Sequence, residues 1–155
     1  MADFLYNTGS SELWDGTIDL LTDTPAGMLV TSSYVEDRDN DVVDAGGADD
    51  PVDHELTGTG YTAGWGGAGR KALASKAIAV DKANDRSTFD IADLVWTSIN
   101  AGSAAGLLTI VEGGANDTTS RLIAFHDCVA VTNGGDLTVT IPTPANGALF
   151  NLATA

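Results

Sequence analysis

An internal disulfide framework is excluded at the outset. The chain has one cysteine, Cys128, among 155 residues, and a lone thiol cannot staple a fold to itself. Cys128 stands in an apolar run and reads as a small buried hydrophobe. Long apolar runs are also missing: nothing approaches the roughly 20 residues of a membrane span. Met1–Ala2–Asp3 lacks the basic start of a secretory signal, and Phe4–Tyr6 is too short for its apolar stretch. The expectation is a soluble protein made in a cytoplasm, with no membrane partner. Basic residues are few. Arg38, Arg70, Lys71, Lys76, Lys82, Arg86 and Arg121 stand against 22 acidic residues, for a net charge of −15. Such a chain repels phosphate backbones, so nucleic acid is not an expected partner. The acidity fits adaptation to high salt, where self-repulsion is screened. It equally fits a partner with a basic docking surface.

What is present reads as one β domain over 1–155. That length buries about two-thirds of its unfolded surface without a metal or disulfide. Eighteen glycines favour turns and loops. The spacing over 1–27 predicts an N-terminal arm with a short helix over Phe4–Trp14. Leu5, Tyr6, Leu13 and Trp14 share one side, Asp3 is the candidate N-cap, and Gly16 is the candidate C-terminal cap. Asp23–Thr24–Pro25 signals a turn, and Met28–Val35 reads as a strand. Residues 36–56 hold nine acidic side chains, one arginine and almost no periodicity, and read as a long, solvated, mobile loop. Gly58–Gly69 is glycine-rich, with Tyr61 and Trp65 embedded.

Strands are predicted at Lys71–Val80, Ser87–Asp90, Leu94–Thr97, Leu107–Val111, Arg121–Val131, Asp136–Ile141 and Leu149–Leu152. Asp81–Arg86 reads as a hairpin loop, and Trp96 as a core anchor. In Arg121–Val131, Leu122, Ala124, His126 and Cys128 fall on one face, and Ile123, Phe125 and Asp127 on the other. Asn133–Gly134–Gly135 is the strongest hairpin signal, followed by Leu137, Val139 and Ile141 facing inward. Short strands between turn signals, with one helix, predict a mainly β chain. The expected architecture is an antiparallel β-sandwich or jelly-roll-like barrel.

No motif carries chemistry. Asp37, Asp39 and Asp41 place oxygen ligands at alternate positions, as a calcium loop begins. The sixth and twelfth positions are Val42 and Ala48, where an EF-hand needs Gly and Glu. A looser divalent site at these three aspartates is the one metal candidate. Gly58–Thr59–Gly60 continues to Ala63 where a dinucleotide fingerprint needs glycine, and a β-reading stretch follows, so no nucleotide site is expected. His126 and Asp127 point to opposite strand faces and make a poor relay. A Cys128–His126 pair lacks the electropositive setting that activates a thiol. Tyr61 and Trp65 can stack on a sugar, anchor a neighbouring subunit, or fold over their own core.

Several stretches resemble a family of small structural proteins of tailed-phage and prophage virions. These are LYNTGSSELWDGTIDLLTDT (5–24), MLVTSSY (28–34), ELTGTGYTAG (55–64), KALASKAIAVDKANDRSTFDIADLVWTS (71–98), TTSRLIAFHD (118–127), NGGDLTVTIP (133–142) and ALFNL (148–152). The chain departs from the family pattern at Trp65–Gly69 and Ala101–Ala105. The resemblance implies a non-enzymatic virion protein that decorates and stabilises a capsid at the head surface. The implied partner is the major capsid protein lattice, and the implied form a homo-oligomer, by class a trimer. It brings no cofactor and no catalytic residues. The second possibility is a tail or fibre component that binds a receptor or glycan. Candidate interface residues are Phe4, Leu5, Tyr6, Leu13, Trp14, Tyr61 and Trp65.

Overall fold

A computed structural model describes residues 3–146 and 149–153. The elements in order are β1 (Phe4–Leu5), α1 (Asn7–Asp15), β2 (Pro25–Val30), β3 (Lys71–Ala72), β4 (Ala77–Asp81), β5 (Arg86–Asp90), β6 (Leu94–Trp96), β7 (Ser103–Val111), β8 (Arg121–Val131), β9 (Leu137–Val139) and β10 (Phe150–Ala153). Short 3-10 turns stand at Pro51–His54, Asp117–Thr119 and Pro144–Asn146. All strand pairs are antiparallel. They form a five-stranded sheet in the order β1-β8-β7-β2-β3, a three-stranded sheet β10-β5-β4 and a two-stranded sheet β6-β9. The chain is mainly β and sandwich-like, as its composition of short strands predicts.

Side-chain alternation in the central strands feeds two cores. Leu29 and Leu107 face the two small sheets and pack with Leu73, Phe89, Leu94 and Trp96. Ala26, Met28, Val30, Leu108 and Ile110 face the other way, where Phe4, Tyr6, Tyr34 and Val43 cover them. The second cover comes partly from the acidic segment. Val43 is fully buried, Val42 bridges Arg121, and the Val43 amide donates to the Ser120 carbonyl at 2.9 Å. Residues 36–56 are therefore not a merely solvated loop; they form a third layer over the large sheet.

The arm also differs from expectation. Phe4 and Leu5 pair with Phe125 and Ala124 of β8 as a strand, so the helix starts only at Asn7. Asp3 does not cap it; its carboxylate accepts from the Asp127 amide at 2.8 Å. Gly16 does end the helix, with φ 79°. Its start is held by the acidic segment instead. The Asn7 amide donates to the Arg38 carbonyl at 2.9 Å, Asn7 Nδ2 donates to Asp39 Oδ1 at 2.6 Å, and Thr8 Oγ1 donates to Asp41 Oδ1. Carboxylates at this end also suit the positive pole of the helix.

β8 spans the predicted residues, but its faces shift. Thr109 opposes Ala124 while Ile110 opposes Leu122, so Ile123 is an extra residue in the ladder. The bulge sends Leu122 and Phe125 to one core and Ile123 to the other. The register shifts again between Asp127 and Ala130, where Cys128 and Val129 stand against the single residue between Ala104 and Gly106 of β7.

Asn133–Gly134–Gly135 is a turn without being a β8–β9 hairpin. The Gly134 amide donates to the Ile99 carbonyl at 2.8 Å, and the Ile99 amide to the Gly135 carbonyl at 3.0 Å. The chain is thereby carried to the other layer, where β9 pairs with β6. Lys71–Val80 is likewise two strands in two sheets, broken at Ser75, whose φ is 55°. The strand predicted over Met28–Val35 runs from Pro25 to Val30.

α1 lies directly on β8 at Gly9. A Cβ there would stand 2.2 Å from the Leu122 carbonyl oxygen and 2.9 Å from Ile123 Cα. Gly9→Ala is expected to lower stability by about 1–3 kcal/mol, since backbone cannot yield as a side chain does and the clash exceeds the gain in helix propensity. Urea unfolding checks this. Unchanged stability would mean that α1 is free to lift from the sheet.

Candidate functional site

The strongest electrostatic feature is the Arg70 guanidinium, whose side chain is 2% exposed. β7 occupies one edge of β2. Glu55–Leu56 and Lys71–Ala72 therefore share its other edge, which brings Glu55 to Arg70. Arg70 Nε donates to Glu55 Oε1 at 3.0 Å and Arg70 Nη2 to Glu55 Oε2 at 2.8 Å. A second bidentate pair reaches Asp117, at 2.6 and 2.9 Å. Glu112 Oε1 accepts at 3.0 Å. The Glu55 side chain is fully buried and also accepts from Tyr61 Oη at 3.2 Å and the Gly64 amide at 2.9 Å. Burial alone would lower the Arg70 pKa. The hydrogen bonds and charges of Glu55 and Asp117 outweigh it and hold the group above its ordinary range. With every donor direction filled by a carboxylate, the cluster is built for holding loops together and leaves no room for a substrate anion.

A second constellation joins Ser33, His54 and Asp49. Ser33 Oγ lies 3.0 Å from His54 Nδ1, and His54 Nε2 lies 2.6 Å from Asp49 Oδ1. These are the residue types of a nucleophile relay. Asp49, however, is 73% exposed, so water screens the pair. Ser33 Oγ also meets Thr31 Oγ1 at 2.8 Å. The clefts along Ile18–Phe89, His126–Ile141 and Trp14–Arg86 are lined by other residues. The arrangement fastens the acidic segment to the end of β2. Sequence reading missed both clusters, because their members are scattered and obey no local spacing.

His126 and Cys128 do line one cleft of about 420 Å³, with Asp3 and Leu137 at its wall. Asp3 Oδ2 stands 3.9 Å from His126 Nδ1. The nearby imidazole, with the Asp127 amide, outweighs burial and holds the Asp3 carboxyl below its ordinary range. Burial pushes the Cys128 thiol up, and Asp127 adds to the shift. A thiol so placed is a weak nucleophile.

Asp37, Asp39 and Asp41 do not converge on a point. Asp37 accepts from the Asp39 amide at 3.0 Å, while Asp39 and Asp41 serve α1. Among the described residues, no group of three or more His, Cys, Asp or Glu is placed to hold a metal ion. No described helix is long and apolar enough to cross a membrane.

The candidate interface residues separate into two groups. Phe4 and Tyr6 are buried in the core beneath the acidic segment, and Tyr6 Oη meets Tyr34 Oη at 2.6 Å. Burial raises both phenols above their ordinary range. Tyr61 is buried against Trp96, with ring centroids 6.5 Å apart, and its hydroxyl accepts from the Leu29 amide at 3.0 Å. The glycine turn that delivers it is tight: Gly60 has φ 79°, and a Cβ there would lie 2.8 Å from the Ser98 carbonyl oxygen. These three aromatics are core residues, which corrects the expectation that they face a partner. Leu5 and Leu13 are half-buried, Leu13 against the inner core. Trp14 and Trp65 are exposed, at 73% and 45%. Trp65 is held in place, its Nε1 donating to the Gly113 carbonyl at 3.1 Å.

No protein-family model, curated protein or solved structure matches the chain.

Replacing Arg70 alone strands two carboxylates, Glu55 and Asp117, in a place that water barely reaches. Arg70→Met is expected to cost about 3–5 kcal/mol, the range for breaking a buried ion pair from one side. Glu112→Gln keeps a hydrogen-bonding group at the exposed rim and should cost about 1 kcal/mol or less. Urea titration of both variants checks the order; equal losses would deny Arg70 its central place.

Proposed function

We propose that this chain is a non-enzymatic structural component of a tailed-virus particle. In this reading it binds the major capsid protein lattice as a homo-oligomer, coats the head and stabilises it. The resemblance of its ordered segments to small virion proteins supports this. The placement of its chemical groups supports it too. Arg70, Glu55 and Asp117 are consumed in a buried structural cluster, the Cys128 thiol is disfavoured as a thiolate, and Asp39 and Asp41 anchor a helix.

Trp65 carries the reading. It is a large ring held at the surface by a hydrogen bond to the Gly113 carbonyl, and the Gly66 amide beside it donates to Glu112 at 3.3 Å. The Arg70 cluster pins that same Glu112. A pre-positioned aromatic forfeits little freedom on docking, and aromatic anchors dominate interface energetics. Repetition over a lattice then multiplies a modest single contact. The same held ring supports a second reading, a tail or fibre module that stacks on a sugar.

Wild type and Trp65→Ala are to be titrated against undecorated capsids of the source virus and against host surface polysaccharide. The capsid reading expects the wild type to saturate capsids and the variant to bind roughly thirty-fold more weakly, the effect of an aromatic hot spot of about 2 kcal/mol. Binding to polysaccharide alone, lost in the variant, would replace it with the glycan reading. Binding to neither overturns both.

A further inference from the structure

We infer that the open edge of β4 is a self-pairing surface and that its partner is a second copy of this chain, joined antiparallel about Ala79. β4 stands at the end of the sheet β10-β5-β4. The Phe89 carbonyl accepts from the Leu149 amide at 3.0 Å, so the main-chain groups of Phe89 point toward β10. Main-chain direction alternates along an antiparallel ladder. Thr88 therefore points to β4, where it opposes Ala79, and Asp81 closes the hairpin opposite Arg86. Ile78 and Val80, the neighbours of Ala79, direct their N–H and C=O groups away from β5, to the open edge.

The side chains at the same two positions are apolar and exposed, Ile78 at 57% and Val80 at 68%. They share one face, opposite Phe89 and Ser87. Among the described residues no strand pairs with this edge; an apolar edge of that kind is a template for another strand, and this one is its own complement. A two-fold axis perpendicular to the sheet, midway between the two copies of Ala79, places Ile78 opposite Val80 of the second copy. Val80 then stands opposite Ile78 of that copy. Both are hydrogen-bonded pairs, because both residues present their main-chain groups outward. The three-stranded sheet becomes six-stranded, and the apolar side chains meet on one face. Trp14, which lines a cleft with Val80 and Arg86, flanks the seam.

Charge directs the choice of partner. Over β4 and the turn that follows it, residues 76–86, the chain carries Lys76, Lys82 and Arg86 against Asp81 and Asp85. Three minus two gives +1 on a molecule of −15. Those cations offset the negative field of the rest of the chain at this edge, so two copies meet here with least repulsion. What repulsion remains is between like molecules, and salt screens it. Dimerisation must therefore strengthen as salt rises.

Sedimentation equilibrium of the full chain, in low and in molar salt, tests this. Expected is a mass twice the 15.9 kDa of one chain, with an affinity that rises by about tenfold or more between the two salts. Val80→Pro removes an amide that points outward and leaves the β4–β5 ladder intact, as proline at a strand edge does. It should give a monomer with unchanged far-UV circular dichroism. Val80→Lys leaves the main chain untouched and should also give a monomer, through a charge at the seam. A wild-type monomer at high protein concentration in molar salt overturns the proposal, as does a dimer that persists in either folded variant. Because the measurement uses the isolated chain, its failure leaves the capsid result of Trp65→Ala standing, and the reverse holds too.

Discussion

The arrangement of loops depends on one cation. Arg70 sits where four segments of low intrinsic order converge: the end of the acidic stretch at Glu55, the glycine-rich run, the exit of β7 at Glu112, and the 3-10 turn that starts at Asp117. Loop closure for each is an entropic cost that a glycine-rich sequence makes larger. A buried guanidinium meeting two carboxylates in bidentate fashion fixes position and orientation together. Desolvation makes that expensive in principle. The cluster offsets it by satisfying each carboxylate more than once, Glu55 from Tyr61 and Gly64 as well as Arg70. Tyr61 is in turn fastened to the Leu29 amide and stacked on Trp96, so the same network runs into the inner core.

The second constraint is the bare outer face of the five-stranded sheet. Met28, Leu108 and Ile110 would face water if only the two small sheets packed on it. The aspartate-rich segment 36–56, with Tyr34 just before it, covers them by placing few apolar groups where they are needed: Tyr34, Val43 and the half-buried Val52. Its carboxylates hold the cover in shape. Asp50 accepts from the amides of Ala45 and Gly47 and forms a reciprocal cap with Asp53. His54 bridges Asp49 and Ser33. The acidic layer is thus a packed lid with polar internal bracing.

What could be read from the sequence follows from how far each interaction reaches. β8 was legible to the residue because period-two alternation is local. The bulge at Ile123 was not, since it depends on the register of β7. Asn133–Gly134–Gly135 announces a turn but not which strand comes next to it; Ile99, thirty-odd positions upstream, decides that. Acidic composition concealed the cover, because Val43 is a single buried residue with no repeat to reveal it. Tyr61 and Trp65 looked alike in one glycine-rich loop, yet one is core and the other surface. The one sequence signal for the Arg70 cluster was a lone arginine in a glycine-rich run amid an excess of acid.

The surplus of negative charge has a partly structural origin. Asp15, Asp19, Asp37, Asp44 and Asp81 each accept a hydrogen bond from the amide two residues on, the geometry of an Asx turn. Asp15, Asp19 and Asp81 are held below the ordinary carboxyl range chiefly by their hydrogen bonds. Asparagine closes the same turn without a charge. Turn geometry therefore accounts for a short polar side chain at these sites and leaves the charge itself to be explained. Glu55 and Asp117 are different, because Arg70 requires an anion. The net charge of −15 thus combines a buried part fixed by the fold with a surface part that the fold does not demand. Only the surface part is available to be set by salt or by a basic partner, and it lies on the turns, where exchange of Asp for Asn changes charge at little cost to structure.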